Sequence, residues 1–138
     1  MSLSLTGQEI YQFDEVISEL TNFWKGTIRS LPHELELTPA FLAVQPALKA
    51  IYRWSVSLTA PRYPATSPDF EFCFSKESWD ELIQLFTQVS NLFLEISPLL
   101  PNYPSTIKTC FQAAKDYLLA AYDLLECWSD RLNLGSLG

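Results

Sequence analysis

The sequence contains few of the residues that most catalytic and metal-binding sites need. Its 138 residues include one histidine, His33, and only four glycines. One imidazole cannot supply the paired ligands of haem, zinc or di-iron bundles, nor serve several nucleophiles as a base. The scattered glycines form neither a phosphate-binding loop nor a dinucleotide-binding fingerprint. We therefore expect no catalytic residue, no metal ligand and no cofactor.

Positive charge and long apolar runs are also scarce. Nine Lys and Arg residues oppose sixteen Asp and Glu residues, which gives a formal net charge of -7. An acidic chain repels phosphate backbones and anionic lipid surfaces, so we expect neither a nucleic-acid partner nor a membrane partner. No apolar run reaches the ~20 residues that a membrane-spanning helix requires. These two shortages favour a soluble protein with protein or small-molecule partners.

The cysteines indicate a reducing compartment. Cys73, Cys110 and Cys127 form no CxxC pair, and their number is odd. The N-terminal residues also lack the basic and apolar regions of a secretion signal. Both features favour free thiols and a cytoplasmic location.

Four segments carry apolar residues at every third or fourth position, as amphipathic helices do. Proline-rich stretches separate these segments, and the chain length is typical of one domain, at 1–138. Four long helices with two short links and one long link fit an up-down-up-down arrangement. The sequence therefore predicts an all-α, single-domain antiparallel four-helix bundle, with helices at about 7–31, 39–59, 76–97 and 105–133.

Local signals set the helix ends. Thr6 and Glu9 have the spacing of a capping box, and Ser75 is a good N-cap for the third helix. Pro46 lies inside the second helix, where it removes one backbone hydrogen bond, so we expect a kink or a separate turn at 39–45.

Residues 60–75 form a long connection that is rich in proline and aromatic residues. Phe70, Phe72 and Phe74 occupy alternate positions, which places their rings on one side of an extended segment. We expect no partner strand for this segment elsewhere in the chain. The rings then cover the bundle or contact another molecule.

A second group of residues combines positive charge with aromatic rings. Lys49 and Arg53 lie four apart on the second helix, with Trp54 beside them, and Arg62 and Tyr63 follow in the connection. Arg, Tyr and Trp are enriched at protein interfaces. The group forms a partner-binding patch, or its cations pair with acids of a neighbouring helix.

We therefore expect a non-enzymatic protein-interaction module, such as an adaptor, a regulator or a small subunit of an assembly. Self-association, as a homodimer or larger homo-oligomer, is one version of this function. The candidate partner-binding residues are Lys49, Arg53, Trp54, Arg62, Tyr63, Phe70, Phe72 and Phe74.

Two alternatives involve small ligands. Large rings that face Ala114 and Ala121 of the fourth helix could leave an apolar pocket for a small molecule between the helices. A magnesium-dependent nucleotide hydrolase would instead need carboxylates of the first and third helices to converge, because hard oxygen ligands hold Mg²⁺. The carboxylates placed for that role are Glu15, Glu19, Glu77 and Asp80.

Overall fold

The four predicted helices are all present, and they pack as an antiparallel bundle. A computed structural model describes residues 2–31, 39–59, 69–73 and 75–132 of the chain. The predicted fold class is confirmed, and the predicted helix ends differ from the observed ones by at most two residues. The helices are α1 (Gly7–Arg29), α2 (Pro39–Thr59), α3 (Lys76–Ile96) and α4 (Ser105–Arg131).

Contacts between the helices establish their directions. Arg131 at the end of α4 contacts Glu9 at the start of α1, and Cys110 lies beside Gly26 near the other end. Ring contacts show that the other neighbouring helices are also antiparallel. These pairs are Phe13–Trp54 and Trp24–Phe41 between α1 and α2, Trp54–Trp79 between α2 and α3, and Phe86–Tyr122 and Phe93–Phe111 between α3 and α4.

Helix α1 begins at the predicted capping box. The backbone amide of Glu9 donates to Thr6 Oγ1 and that of Thr6 donates to Glu9 Oε1, both at 3.1 Å. The Glu9 carboxylate also pairs with Arg131, whose Nη2 lies 2.6 Å from Oε2. The hydrogen bond from Arg131 lowers the pKa of Glu9, against the opposing effect of partial burial. One carboxylate therefore both caps α1 and ties it to the end of α4.

Helix α2 continues through Pro46 without interruption. The expectation of a separate turn at 39–45 was wrong. Pro46 has no N–H, so the carbonyl of Leu42 loses its helical donor. Both side chains are exposed, which places this carbonyl on the water-facing side of the helix. The missing hydrogen bond costs little there, because water can supply a donor.

The start of α3 and the link to α4 follow from local sequence. Ser75 caps α3 as predicted, because its Oγ accepts a hydrogen bond from the amide of Ser78 at 3.1 Å. After Ile96 the chain tightens into a 3-10 helix at Ser97–Asn102 that contains two prolines. These prolines cannot donate the backbone bonds that would extend α3.

The aromatic segment after α2 has a partner strand, contrary to expectation. Strands β1 (Ser2–Thr6) and β2 (Asp69–Cys73) form a two-stranded antiparallel sheet, in which Leu3 pairs with Phe72 and Leu5 pairs with Phe70. Leu3 and Leu5 are buried, because alternate residues of a strand share one face. The rest of the expected 60–75 loop, apart from Ser75, lies outside the described residues.

Aromatic rings from all four helices meet in the core. Trp24 of α1 is fully buried and stacks on Phe41 of α2 at 5.9 Å and on Phe93 of α3 at 5.6 Å between ring centroids. Ala114 and Ala121 of α4 are also fully buried. Their small side chains leave room for the large rings of the facing helices, as interior packing density requires.

Candidate functional site

A surface groove runs between α1 and α2. At one end it opens into a pocket of about 350 Å³, whose walls include Trp24, Ile28 and Phe41. A second section of about 430 Å³ follows, where most lining residues carry polar or charged side chains and Leu48 and Tyr52 add apolar surface. Lys25 and Gln45 line both sections, so the groove is continuous. We define the α1–α2 face as this groove and the outward side chains of residues 21–29 and 42–56.

The α1–α2 face carries four cations and, within residues 21–29 and 42–56, no carboxylate; the half-buried Asp14 of α1 lies just beyond it, where its Oδ1 accepts a hydrogen bond from Ser55 Oγ of α2 at 3.4 Å. Lys25 and Arg29 lie four apart on α1, Lys49 and Arg53 lie four apart on α2, and all four are exposed. Residues 20–31 and 39–59 contain no Asp or Glu. Across the four described ranges, none of these cations forms an ion pair. The alternative that Lys49 and Arg53 pair with acids of a neighbouring helix therefore finds no support in the described residues.

Apolar side chains accompany these cations. Leu42, Tyr52 and Val56 of α2 are 59%, 44% and 38% exposed, although each is large and hydrophobic. Together with Gln45 and Lys49 they occupy steps of three and four residues, which form one stripe on a helix. Exposed apolar surface beside unpaired charge is typical of a binding surface rather than of a purely solvated one.

The rest of the bundle has the opposite charge. Helix α3 carries one basic residue, Lys76, against four acidic residues, and α4 carries three basic residues against four acidic ones. The acids that recur every seven residues on α4, Asp116, Asp123 and Asp130, are all exposed. The molecule is therefore polarised, with positive charge concentrated at the α1–α2 face.

The predicted partner-binding residues fall into four groups. Lys49 and Arg53 lie on the α1–α2 face, whereas Trp54 is half-buried and makes edge contacts with Phe13 and Trp79 of the core. Only the backbone is described for two others, within β2, and three lie outside the described residues. The two in β2 are Phe70 and Phe72, and the three outside are Arg62, Tyr63 and Phe74.

The α1 half of the face was not predicted. Lys25 and Arg29 have the same spacing as Lys49 and Arg53, in a stretch equally free of acids. That repetition was the available signal, but only the packing of α1 against α2 places Lys25, Arg29 and Lys49 along one groove, with the exposed Arg53 one helical turn beyond Lys49. The sequence predicted no role for Leu42, which is exposed because the packing of α2 turns it towards the groove and not into the core.

The carboxylates of the hydrolase alternative do not form a cluster. Glu15, Glu77 and Asp80 are exposed and Glu19 is half-buried. Within the described part of the chain, no group of three or more His, Cys, Asp or Glu residues is placed to hold one metal ion. The structure thus brings no three-ligand set together from these helices.

Two buried indole groups and two thiols are further polar groups that could take part in binding or chemistry. Nε1 of Trp24 and Nε1 of Trp128 are buried and find no hydrogen-bond acceptor among the described residues. Trp24 forms part of the pocket wall as well as of the core. Cys110 and Cys127 are free thiols, half-buried and exposed respectively, and neither lines the groove.

Comparison of the chain with models of protein families, with curated proteins and with solved structures finds no match. None of the described helices has an apolar stretch long enough to cross a membrane. The functional argument therefore depends on the chemistry of the α1–α2 face alone.

Proposed function

We propose that this chain is a non-enzymatic protein-interaction module and that the α1–α2 face contacts the partner. One observation carries the proposal: four cations without ion-pair partners among the described residues surround exposed apolar side chains on an otherwise acidic protein. Complementary charge steers a partner towards such a face, and burial of Leu42 and Tyr52 then adds affinity.

The charge of the face selects the kind of partner. A two-fold symmetric dimer through this face would bring the cations of one copy, Lys25, Arg29, Lys49 and Arg53, towards the same set of cations on the other copy, because the same patch meets itself. Like charges at an interface are unfavourable. The proposed partner is therefore a different protein with an acidic contact surface, met in the reducing cytoplasm that the free thiols Cys110 and Cys127 favour.

A second candidate function is the binding of a small molecule. The pocket beside Trp24, at about 350 Å³, falls within the range of ligand pockets, and four of its seven lining residues are apolar or aromatic. Native mass spectrometry of the purified protein tests this candidate. A retained mass that disappears in Leu42→Asp would favour it over the proposed protein partner.

Charge reversal tests the proposed function. Lys49→Glu/Arg53→Glu changes two exposed residues of the face, and Lys76→Glu/Lys108→Glu makes the same charge change at exposed residues of α3 and α4. Both control positions lie in the first turn of a helix, where Glu is favourable. Proximity labelling in the native cell should lose a set of proteins with the first variant and keep that set with the second.

Two outcomes of the labelling experiment would contradict the proposal. If all three forms label the same proteins, or if both variants lose the same ones, the α1–α2 face is not the contact surface. Circular dichroism of each variant, with an unchanged melting temperature, ensures that lost contacts do not reflect unfolding.

A further inference from the structure

The proposed function leaves open what kind of segment occupies the groove. We infer that the occupant is an acidic amphipathic helix of another protein, with one apolar side chain in the pocket beside Trp24 and its carboxylates along Lys25, Lys49 and Arg53. This inference rests on the proposed function. The length, chemistry and charge of the groove each support it.

The first argument is length. The groove runs along α2 from Leu42 to Tyr52, ten residue steps or about 15 Å of helix. That distance matches about three turns of a partner helix, and a compact metabolite could fill only one section of it. A helix that enters a groove between two helices also packs its ridges as a bundle neighbour does.

The second argument is the gradient of chemistry along the groove. The pocket end is walled by Trp24, Ile28, Phe41 and Leu42, which suits a Leu-sized or Phe-sized side chain. The other end exposes hydroxyl and amide groups and Lys49, which suits polar and charged groups. A helix with apolar residues at three-to-four-residue intervals and carboxylates beside them presents both kinds of group at once.

The third argument is charge. The four cations of the face meet no carboxylate within the described ranges, so an acidic helix supplies the missing partners. Nucleic acid would supply them too, but the formal net charge of -7 repels a long phosphate backbone. A second copy of this chain in a two-fold arrangement brings cations instead of carboxylates. Charge complementarity therefore favours an acidic segment of another protein.

Designed peptides test the inference directly. Three fluorescent twenty-residue peptides share one composition of Leu and Ala: a helical one with Glu on its polar positions, the same helix with Lys in place of Glu, and a scrambled Glu version without an apolar face. Fluorescence anisotropy is measured with the full-length protein at low and moderate salt. We expect binding of the Glu helix alone, weakened by added salt.

Protein variants locate the binding. Lys49→Glu/Arg53→Glu should weaken binding of the Glu helix by roughly tenfold or more, because attraction becomes repulsion. Leu42→Ser should weaken it at low and moderate salt alike, and Lys76→Glu/Lys108→Glu should leave it unchanged. Equal binding of the Glu and Lys helices, equal binding of the scrambled peptide, or indifference to the Lys49 and Arg53 changes would overturn the inference.

The result also separates this inference from the proposed function. If no peptide binds while the face variant still loses its labelled proteins in the cell, the face is an interaction surface and the acidic helix is wrong. If no peptide binds and labelling is unchanged, both proposals fail. Concentration-dependent self-association that Lys49→Glu/Arg53→Glu abolishes would identify a second copy as the occupant and overturn the inference.

Discussion

Gly26 offers a quantitative test of how α1 packs against α4. A Cβ added at this position would lie 3.4 Å from Cys110 Sγ and 4.0 Å from Cys110 Cβ, which is ordinary van der Waals contact. Glycine inside a helix costs about 0.5–1 kcal/mol relative to alanine, since it loses more backbone freedom on folding. We therefore expect Gly26→Ala to raise the free energy of unfolding by about 0.5–1 kcal/mol. The corresponding rise in melting temperature is roughly 2–5 °C for a chain of this length.

A larger side chain at the same position should reverse the sign. Gly26→Val adds two methyl groups beyond the Cβ that alanine already carries beside Cys110, and overpacking of this kind typically costs about 1–3 kcal/mol. Cys110→Ala removes the sulfur atom, so Gly26→Val should cost less in that background than in the natural one. Urea unfolding followed by far-ultraviolet circular dichroism gives the free energy of unfolding of the natural protein, Gly26→Val, Cys110→Ala and the double variant. The double-mutant cycle then isolates the energy of the contact between the two residues.

Two results would refute this reasoning. A loss of more than about 1 kcal/mol on Gly26→Ala would mean that the helices are closer at Gly26 than the structure shows. A cost of Gly26→Val that does not depend on Cys110 would mean that the two residues do not face each other. The first result would change the spacing of α1 and α4 at Gly26, and the second would change their register.

Two further changes probe the core and the ion pair between the start of α1 and the end of α4. Leu20→Asp places an unpaired charge at a fully buried site, so it should remove several kcal/mol and abolish the cooperative thermal transition, whereas Glu19→Ala beside it should unfold cooperatively. Glu9→Gln removes the ion pair to Arg131, which is partly exposed, so the loss should stay below about 1 kcal/mol at neutral pH. Because Arg131 lowers the pKa of folded Glu9, the contribution of this pair is complete above the unfolded-state pKa and is lost as pH falls through the folded-state value. Urea midpoints between pH 7 and pH 3 should therefore fall more steeply for the natural protein than for Glu9→Gln, and parallel curves would contradict the assignment.

Most of the helical architecture was predictable because its signals are local. The spacing of Thr6 and Glu9 predicts a capping box that the hydrogen bonds confirm, and Ser75 caps α3 in the predicted way. The apolar stripes predict buried faces because helix geometry relates sequence spacing directly to direction. The separate turn at 39–45 does not form, since the carbonyl of Leu42 that loses its donor to Pro46 is tolerated on the water-facing side of α2.

The sheet and half of the candidate site depend on contacts between distant parts of the chain. Leu3 and Leu5 alternate as Phe70 and Phe72 do, but alternation over five residues does not show which segment pairs with which. The α1–α2 face likewise depends on contacts between distant segments. The sequence shows only that Lys49 and Arg53 form a pair on one helix. Their proximity to the groove lined by Lys25 requires the packing of two helices that the sequence leaves unspecified.

The central claim, that the α1–α2 face is a docking surface for an acidic helix, is tested most directly by nuclear magnetic resonance. The Glu helix is titrated into ¹⁵N-labelled protein, and the amide shifts are assigned to residues. We predict the largest saturable shifts on α1 at Lys25 and Arg29 and on α2 at Leu42, Lys49 and Tyr52, with small shifts along the outer sides of α3 and α4. Saturable shifts centred on α3 and α4, or none at peptide concentrations that saturate binding, would contradict the claim.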